Sequence, residues 1–292
     1  MSIASISIVT PNYNYAETLE ATIQSVLQPG VPGLEYVVID DASTDRSPEI
    51  LRKYEGRLRW ERLERNGGQY PAIMHGFDRT SGTIMGWINS DDVFYPWTLR
   101  TVVEIFNQFP EVDWIMGLPA KVQDGAVHEV APLRAWPQGW LRLGLYSGGR
   151  FGVVQQESCF WRRRLWEKVG GLDLSLRLAA DFELWTRFAR HAELHACSTL
   201  LGGFSITGRN RSLIQNPAYL AEVETVIGRL SKEDKRERNW ILEGFRRFDF
   251  VARVPLVRRM MAAQLGSAEG PVVVRNFAAN EFRVERRVFP IG

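Results

Sequence analysis

The sequence has few of the residues that assign a protein to a specialised class. It contains two cysteines, Cys159 and Cys197, and four histidines among 292 residues. Neither a disulfide framework nor a zinc site with closely spaced ligands is therefore expected. No apolar run approaches the roughly 20 residues of a membrane-spanning helix. Because residues 1–10 lack the basic flank and apolar core of a signal peptide, we expect a cytoplasmic protein with reduced thiols.

An excess of charge of one sign is also absent, because 36 Lys and Arg residues and 34 Asp and Glu residues give a formal net charge of +2. Bulk charge thus indicates no nucleic-acid partner. The charge is uneven, however, since residues 221–292 contain 14 basic and 10 acidic residues. The length and the 45% hydrophobic content are typical of one large globular domain with an additional segment.

The first 118 residues alternate between strand and helix patterns. Short apolar or β-branched runs predict strands at residues 6–9, 36–39, 58–63, 83–88 and 114–116. Helical spacing of apolar residues predicts a helix after each of the first four strands, and Asn14 with Glu17 resembles a capping box at the start of the first helix. This alternation predicts an α/β fold with a mainly parallel central sheet flanked by helices.

The pattern changes after residue 118. A hairpin is expected at residues 121–130, turning at Asp124-Gly125, and a long loop rich in Trp, Gly and Pro at residues 132–151. Helices are expected at 163–169 and 181–191. From residue 216 the chain has a helical, basic character, which predicts a helical C-terminal extension over residues 216–292.

Two predicted strands end in a pair of adjacent aspartates, Asp40-Asp41 and Asp91-Asp92. The carboxyl ends of parallel strands form the edge at which open α/β sheets bind ligands. Adjacent carboxylates there require a cation or hydrogen bonds. A hard divalent ion, Mg²⁺ or Mn²⁺, which also holds phosphate oxygens, suits Asp91-Asp92. The alternative is that this pair caps the helix that begins near Pro96.

Seven motifs, taken in order, resemble those of glycosyltransferase family 2. They lie at residues 10–14, 38–45, 66–69, 89–92, 156–163, 169–173 and 180–185. The resemblance covers roughly residues 4–210 and implies a GT-A (Rossmann-like) fold, a nucleotide-sugar donor, a divalent metal and inversion at the anomeric carbon. It divides the catalytic domain, residues 1–215, into a nucleotide-binding half, 1–118, and an acceptor and base half, 119–215.

The resemblance also implies roles for residues that follow the first, second and fourth strands. Asp92 is expected to bind the metal directly, and Asp91 to contact the metal, its bound water or the ribose. Asp41 is expected to read the nucleobase, with Pro11 and Tyr13 completing the nucleoside slot. Packing of Tyr13 against the first helix is the alternative.

Further candidates would bind the diphosphate. The backbone N–H of Gly68, within residues 66–69, is expected to meet a phosphate unless this stretch is an ordinary turn. Many relatives carry a His near residues 207–212, and none is present here. Arg211 or Arg209 is therefore expected to bind the diphosphate directly. The basic run Arg162–Arg164 is either a phosphate clamp or a solvated turn.

An inverting transfer needs a general base opposite the leaving group, and Asp181 is the candidate. It begins an apolar helix, whose dipole favours the ionised carboxylate, although a simple N-cap is the alternative. The family often has a second acid just before this position, where this chain has Ala180. Gln156, Glu157 and Trp136 are expected to line the acceptor site, with core packing as the alternative for Trp136.

Residues 245–261 combine bulky apolar residues with five arginines and one acid. This composition is typical of an interfacial amphipathic helix, which predicts peripheral contact with the inner face of a membrane. A helix packed on the catalytic domain or on a partner subunit is the alternative, and a homo-oligomer stays open.

Together these features predict a metal-dependent inverting glycosyltransferase of surface polysaccharide synthesis. The donor would be a UDP, GDP or dTDP sugar, and the acceptor a glycan or a lipid-linked hydroxyl. A sugar nucleotidyltransferase would carry a Gly-rich basic loop where this chain has Pro11–Asn14. A non-catalytic nucleotide-sugar-binding module would lack a base such as Asp181. The absence of a G-x-G-x-x-G motif after a strand argues against a dinucleotide oxidoreductase.

Overall fold

The computed structural model describes residues 4–28, 30–210, 216–248 and 268–289. Its helices are α1 Ala16–Leu27, α2 Ser47–Arg52, α3 Gln69–Phe77, α4 Thr98–Gln108, α5 Gln138–Arg142, α6 Arg163–Val169, α7 Ala180–Phe188, α8 Asn216–Gly228 and α9 Lys232–Phe248. Its strands are β1 Ile6–Asn12, β2 Leu34–Asp40, β3 Arg59–Arg62, β4 Ile84–Trp87, β5 Val93–Phe94, β6 Trp114–Met116, β7 Ala120–Gln123, β8 Ala126–Val130, β9 Cys159–Arg162, β10 His195–Cys197, β11 Gly202–Ser205, β12 Glu269–Asn276 and β13 Glu281–Val288.

Nine strands form the central sheet in the order β13-β12-β10-β6-β9-β4-β1-β2-β3. β1 pairs in parallel with both β2 and β4, and β2 in parallel with β3. Only β9 and β13 among these nine run antiparallel to their neighbours. The mainly parallel α/β fold expected from the alternation is confirmed, and the carboxyl ends of β1, β2 and β4 lie side by side at one edge.

β1 is buried along its whole length because both faces of the sheet are covered. On one face Ile6 and Ile8 pack with residues of α1 and α4. On the other face Val9 packs with residues of α3, α6 and α7, and with the aromatic residues of the 136–151 segment. The site described below is thus formed between two hydrophobic layers that fix its strands and helices.

The expected capping box at Asn14 and Glu17 is wrong. α1 begins at Ala16, whose amide donates to Asp45 Oδ2 at 2.9 Å, so the helix is capped from the loop after β2. Asn14 has a positive φ of 58°, and its Oδ1 accepts from the amide of Thr44 at 2.7 Å. Asn14 therefore joins the two loops, an arrangement that no local spacing rule predicts.

Residues 120–130 form the predicted hairpin, with Asp124 and Gly125 both at positive φ in the turn. Its first strand, β7, pairs with β11 in a second, four-stranded sheet of order β5-β11-β7-β8. This smaller sheet attaches the segment that follows Asp92 to the chain beyond β10. Both cysteines are buried free thiols.

The C-terminal extension is helical over α8 and α9, but the helical prediction is wrong for residues 269–288. These residues form the hairpin of β12 and β13, and β12 pairs in parallel with β10. The three β-branched residues Val272–Val274 are buried there between two strands. β-branched side chains pack well in that environment and lose rotamer freedom in a helix.

The segment predicted to touch a membrane, 245–261, lies mostly outside the described residues. Within the described part, Phe245 is only 4% exposed and packs edge-on against Trp140 and Phe151. Its ring is therefore part of the core, which contradicts membrane contact at this residue. Among the helices that the structure describes, none combines the length and apolar character needed to cross a bilayer.

Candidate active site

Asp91 and Asp92 follow β4, and the structure gives them few hydrogen-bond donors. Asp92 is 1% exposed; its Oδ1 accepts from the Ser205 amide at 2.9 Å and its Oδ2 from Asn89 Nδ2 at 3.2 Å. Asp91 Oδ2 accepts from Asn210 Nδ2 at 3.3 Å. Within the described ranges, neither carboxylate forms an ion pair with Lys or Arg. Hydrogen bonds hold the two side chains in place, and their charge is left without a contacting cation.

The electrostatics of this pair follow from burial and mutual repulsion. Burial raises the pKa of Asp91 to about 6, although the Arg209 guanidinium opposes the shift. Burial, together with the charges of Asp91 and Glu157, raises the pKa of Asp92 well above its usual range. Carboxyl groups in this state bind a proton or a cation more strongly than exposed ones.

Glu157 interacts electrostatically both with this pair and with the candidate base, Asp181. It is buried, and burial raises its pKa to about 8; Asp91 and Asp181 both contribute repulsion, and a hydrogen bond from Gln155 opposes it. The neighbouring Gln156 donates from Nε2 to the Trp87 carbonyl at 2.6 Å. Both residues therefore lie beside the end of β4, and their contact with an acceptor stays a prediction.

Asp181 lies in the first turn of α7 and is partly buried. Burial raises the pKa of this carboxyl, whereas the amide of Phe182 and the hydroxyl of Tyr70 lower it. The Tyr70 hydroxyl lies 3.2 Å from Asp181 Oδ1. The other acid of this turn, Glu183, forms a bidentate ion pair with Arg187, so it is committed to structure.

A cluster of tryptophans fixes α7 against β4. Trp185 of α7 stacks on Trp87 of β4, with ring centroids 5.9 Å apart, and on Trp114 of β6 at 5.3 Å. Trp161 packs edge-on against both Trp87 and Trp185. Because these rings are buried, the helix that begins with the candidate base is held close to the strand that ends in Asp91 and Asp92.

The other aspartate pair, after β2, is fully engaged by the protein. Asp41 is 2% exposed, and its two oxygens accept from the amides of Gly67 and Gly68, each at 2.8 Å. The Gly68 N–H is thus not available to a diphosphate in this conformation, which contradicts its expected role. A nucleobase N–H would have to share an oxygen of Asp41 with an amide, and the role of Asp41 as base reader stays a prediction.

The remaining nucleotide-side candidates differ in exposure. Pro11 is buried in β1, paired with Ile39, whereas Tyr13 lies just beyond the strand and is 43% exposed. Arg209 lies over the ring of Tyr15 and donates to the carbonyl of Asn14 at 3.0 Å. Arg211 lies outside the described residues. Tyr13 therefore has a ring face free to stack on a base, and Arg209 lies beside the same loop.

Two expectations are corrected by burial and contacts. Trp136 is 3% exposed and packs on Tyr146 with ring centroids 4.6 Å apart, so it belongs to the core and offers no face to a sugar. Arg162 and Arg163 donate to backbone carbonyls, including Val112 and Gly82, both at 2.8 Å. These arginines bind the backbone just before β6 and β4, and the phosphate-clamp interpretation is wrong for them.

The residues after β4 fit a divalent metal. Asp91 and Asp92 supply hard carboxylate oxygens without a contacting cation, and a Mg²⁺ or Mn²⁺ site typically uses one or two carboxylates plus substrate phosphates and water. No group of three or more His, Cys, Asp or Glu side chains suited to a metal occurs in the part of the chain that the structure describes. Among the described residues, Asp91 and Asp92 are the side chains that would hold the ion.

Sequence reasoning missed the residues that support the site from a distance. Tyr70, Ser205 and Asn210 each contact a candidate carboxylate from an element far along the chain. No spacing rule connects them to Asp91, Asp92 or Asp181. The only local indication was the polar character of the loop 205–210.

Comparison with known proteins agrees with this geometry. The family model described as glycosyl transferase family 2 matches residues 7–169. The succinoglycan biosynthesis protein ExoU of Rhizobium meliloti is 28% identical over 248 residues, which are 78% of this chain and 71% of ExoU. The chain spans 60% or less of the length of the first curated relatives it matches, glycosyltransferases of Rickettsia species.

Solved structures share the fold. TarS 1–349 of S. aureus in complex with UDP-GlcNAc superposes with a TM-score of 0.64 at 18% identity, covering 80% of this chain and 70% of TarS 1–349. The mannosyltransferase PcManGT of Pyrobaculum calidifontis, in complex with GDP-Man and Mn²⁺, gives a TM-score of 0.60 at 19% identity, covering 80% and 66%. The fold is therefore GT-A, and the chain belongs to glycosyltransferase family 2.

Proposed function

We propose that this protein is an inverting glycosyltransferase that moves a sugar from a nucleoside diphosphate to a hydroxyl of a glycan or lipid-linked acceptor. The observation that carries the proposal is that Trp185 of α7 stacks on Trp87 of β4, with ring centroids 5.9 Å apart. The helix that begins with the carboxylate suited to a base is therefore packed against the strand that leads to the carboxylates suited to a metal. A binding module has no need of the second carboxylate, and a nucleotidyltransferase has no need of a base opposite a sugar.

The comparisons support the substrate classes. TarS binds UDP-GlcNAc and PcManGT binds GDP-Man with Mn²⁺, and ExoU is named for succinoglycan biosynthesis. We therefore propose a UDP, GDP or dTDP sugar as donor and a surface polysaccharide precursor as acceptor. The cytoplasmic location, the membrane contact through residues 245–261 and a homo-oligomer stay predictions.

In this mechanism Tyr13 stacks on the nucleobase, and Asp91 and Asp92 would hold a divalent ion. A bound Mn²⁺ or Mg²⁺ would neutralise the negative charge that develops on the leaving diphosphate. Asp181 accepts the proton of the acceptor hydroxyl while the oxygen of that hydroxyl forms a bond to the anomeric carbon. The bond from that carbon to the diphosphate breaks on the opposite face, which inverts the anomeric configuration.

The environment of Asp181 suits a general base. A buried carboxylate with a raised pKa takes a proton more readily than an exposed one, because its charge is less well solvated. The Tyr70 hydroxyl stabilises the ionised form by donating to Oδ1. Burial and hydrogen bonding thus act in opposite directions on the pKa of Asp181, and burial has the larger effect.

The test is release of nucleoside diphosphate from UDP-GlcNAc, GDP-mannose and dTDP-glucose, with Mn²⁺ and then with excess EDTA. Release that requires Mn²⁺ and falls by about 10²- to 10⁴-fold in Asp181→Asn supports the proposal. A protein that binds these donors but releases nothing with or without an acceptor extract is a binding module. Release of nucleoside monophosphate or pyrophosphate would identify a nucleotidyltransferase.

A further inference from the structure

The turn that leads into α7 is held by a residue of the C-terminal extension. Glu222 of α8 accepts from the amides of Arg177, Leu178 and Ala179 at distances of 2.9 to 3.1 Å. Both carboxylate oxygens take part. Three consecutive backbone donors thus point at one side chain that lies more than 40 residues further along the chain.

This arrangement solves a local problem of α7. A helix leaves its first amides without partners, and a Ser, Thr, Asp or Asn at the N-cap usually satisfies one of them. The N-cap residue here is Ala179, which has no polar side chain, and Ala180 follows it. Glu222 accepts from the amide of Ala179 and from those of the two residues before it, and so places a negative charge from another helix near the positive end of the helix dipole.

The same turn is fixed from its other side by Tyr70 of α3. The Tyr70 hydroxyl lies 2.8 Å from the carbonyl of Leu178 and 3.2 Å from Asp181 Oδ1. Since a hydroxyl has a single hydrogen, it donates to one of these oxygens at a time. Leu178, three residues before the candidate base, is therefore bound through its amide by Glu222, and its carbonyl shares the single hydrogen of the Tyr70 hydroxyl with Asp181.

We propose that Glu222 is a positioning residue for Asp181, so that helix α8 of the C-terminal extension sets the geometry of the base. This inference rests on the proposed function because it takes Asp181 as the base. Among the described residues, the hydrogen bonds of Glu222 come from backbone amides of the turn, through which it positions the helix start. The extension then contributes a positioning residue to the active site.

The electrostatic consequence has a defined sign. The titratable groups that interact electrostatically with Asp181 are Tyr70 of α3, Tyr219 and Glu222 of α8, Glu157 just before β9 and Cys159 at the start of β9. The negative charge of Glu222 raises the pKa of Asp181. Removal of this charge should therefore lower the pKa of the base and move the acidic limb of the kcat/KM profile to lower pH.

The experiment compares Glu222→Gln with Glu224→Gln, a matched control on an exposed position of the same helix. Hydrogen exchange of the full-length protein, followed over the peptide that covers residues 174–186, reports the turn without any substrate. In Glu222→Gln we expect exchange of the three amides to rise by at least about tenfold, as for other locally opened segments. In Glu224→Gln it should be unchanged.

Activity is measured with whichever of UDP-GlcNAc, GDP-mannose or dTDP-glucose the wild type turns over. We expect Glu222→Gln to lower kcat by about 10- to 100-fold with a donor KM within a factor of three, because a misplaced base slows the chemical step. The acidic limb of the kcat/KM profile should move to lower pH, which a purely structural role of Glu222 would not produce.

Each outcome separates this inference from the function on which it rests. Unchanged exchange at residues 177–179, or faster exchange with full kcat and an unshifted profile, overturns the role of Glu222. A wild type that turns over no donor, or an Asp181→Asn variant with full activity, overturns the proposed function instead. Should Glu222→Gln unfold, Glu222→Asp, which keeps the charge but shortens the reach, must show an intermediate kcat and an unshifted acidic limb.

Discussion

The two aspartate pairs beside β1 look alike in the sequence but differ in their surroundings. After β2, Asp40 is completely buried and receives Asn12 Nδ2 at 2.9 Å and Arg62 Nε at 3.4 Å. Asp41 receives the amides of Gly67 and Gly68. This pair satisfies its charge within the protein and ties the loops after β1, β2 and β3 together.

After β4, the donors that the described residues offer to Asp91 and Asp92 are uncharged, namely Asn210, Asn89 and the amide of Ser205. Their pKa values are raised because burial is not compensated by a contacting cation. The difference teaches that two adjacent acids at a strand end do not define a metal site. A pair whose charge the described residues leave without a contacting cation is the better candidate for an ion.

The largest effect should come from the β4 pair. In Asp92→Asn we expect donor turnover with Mn²⁺ to fall by at least about 100-fold, because a direct metal ligand loses its charge. The melting temperature in EDTA should stay equal or rise, since a repelled buried carboxylate is removed. Turnover above a tenth of wild type would contradict the distinction between the pairs.

The β2 pair should respond in the opposite way. Asp40→Asn leaves the amide of Ser43 and the guanidinium of Arg62 without their carboxylate. We expect the free energy of unfolding, measured in urea, to fall by about 2 kcal/mol. Turnover per folded molecule should stay within threefold of wild type. A stable but inactive variant would place Asp40 in the site.

The pH dependence of stability should distinguish the pairs next. A carboxyl whose pKa is higher in the folded than in the unfolded state destabilises the fold once it ionises. For Asp91 this loss begins near pH 4 and is complete above the folded pKa of about 6. In EDTA, the melting temperature of Asp91→Asn relative to wild type should therefore rise between pH 4.5 and 7.

Addition of Mn²⁺ provides the counterpart of that experiment. At pH 7 the ion should raise the melting temperature of the wild type more than that of Asp91→Asn, because binding to the folded state is linked to stability. Equal shifts in both proteins would mean that the ion binds elsewhere. If the difference in melting temperature between Asp91→Asn and wild type in EDTA does not vary with pH, the buried charge of Asp91 does not destabilise the fold.

The smallest effect is expected at Arg62. Its side chain is half-exposed, and it pairs with Asp40 and donates to the Ser43 carbonyl at 2.7 Å. Since ion pairs with an exposed partner contribute little, Arg62→Ala should lower the free energy of unfolding by about 1 kcal/mol or less in urea titrations. A loss close to that of Asp40→Asn would show that Arg62 is the main partner of the buried pair.

Much of the fold followed from pattern alone. The runs at residues 6–9, 36–39 and 84–87 form strands because β-branched and apolar residues fill a sheet that is buried on both faces. The hairpin turn at Asp124-Gly125 followed from residues that tolerate positive φ. Patterns failed where the decisive contact was distant, as for the capping of Ala16 by Asp45 and for strand β12.

Aromatic residues show the same limit. A Trp in a loop rich in Gly and Pro is equally compatible with a sugar platform and with a core, and only packing decided for Trp136. The sequence pattern likewise predicts that the extension, residues 216–292, is separate from the catalytic domain. In the structure Glu222 reaches the turn before Asp181, and β12 joins the central sheet.

The sequence by itself determined the class of fold, the order of the motifs and the residues that could carry charge at the sheet edge. These properties are local, because strand propensity, turn residues and the position of an acid after a strand are encoded by neighbours in the chain. Only the tertiary structure decided which acids are neutralised by the protein and which lack a contacting cation among the described residues. That distinction depends on donors such as Ser205, Arg62 and the Gly67 amide, which distant segments bring into contact.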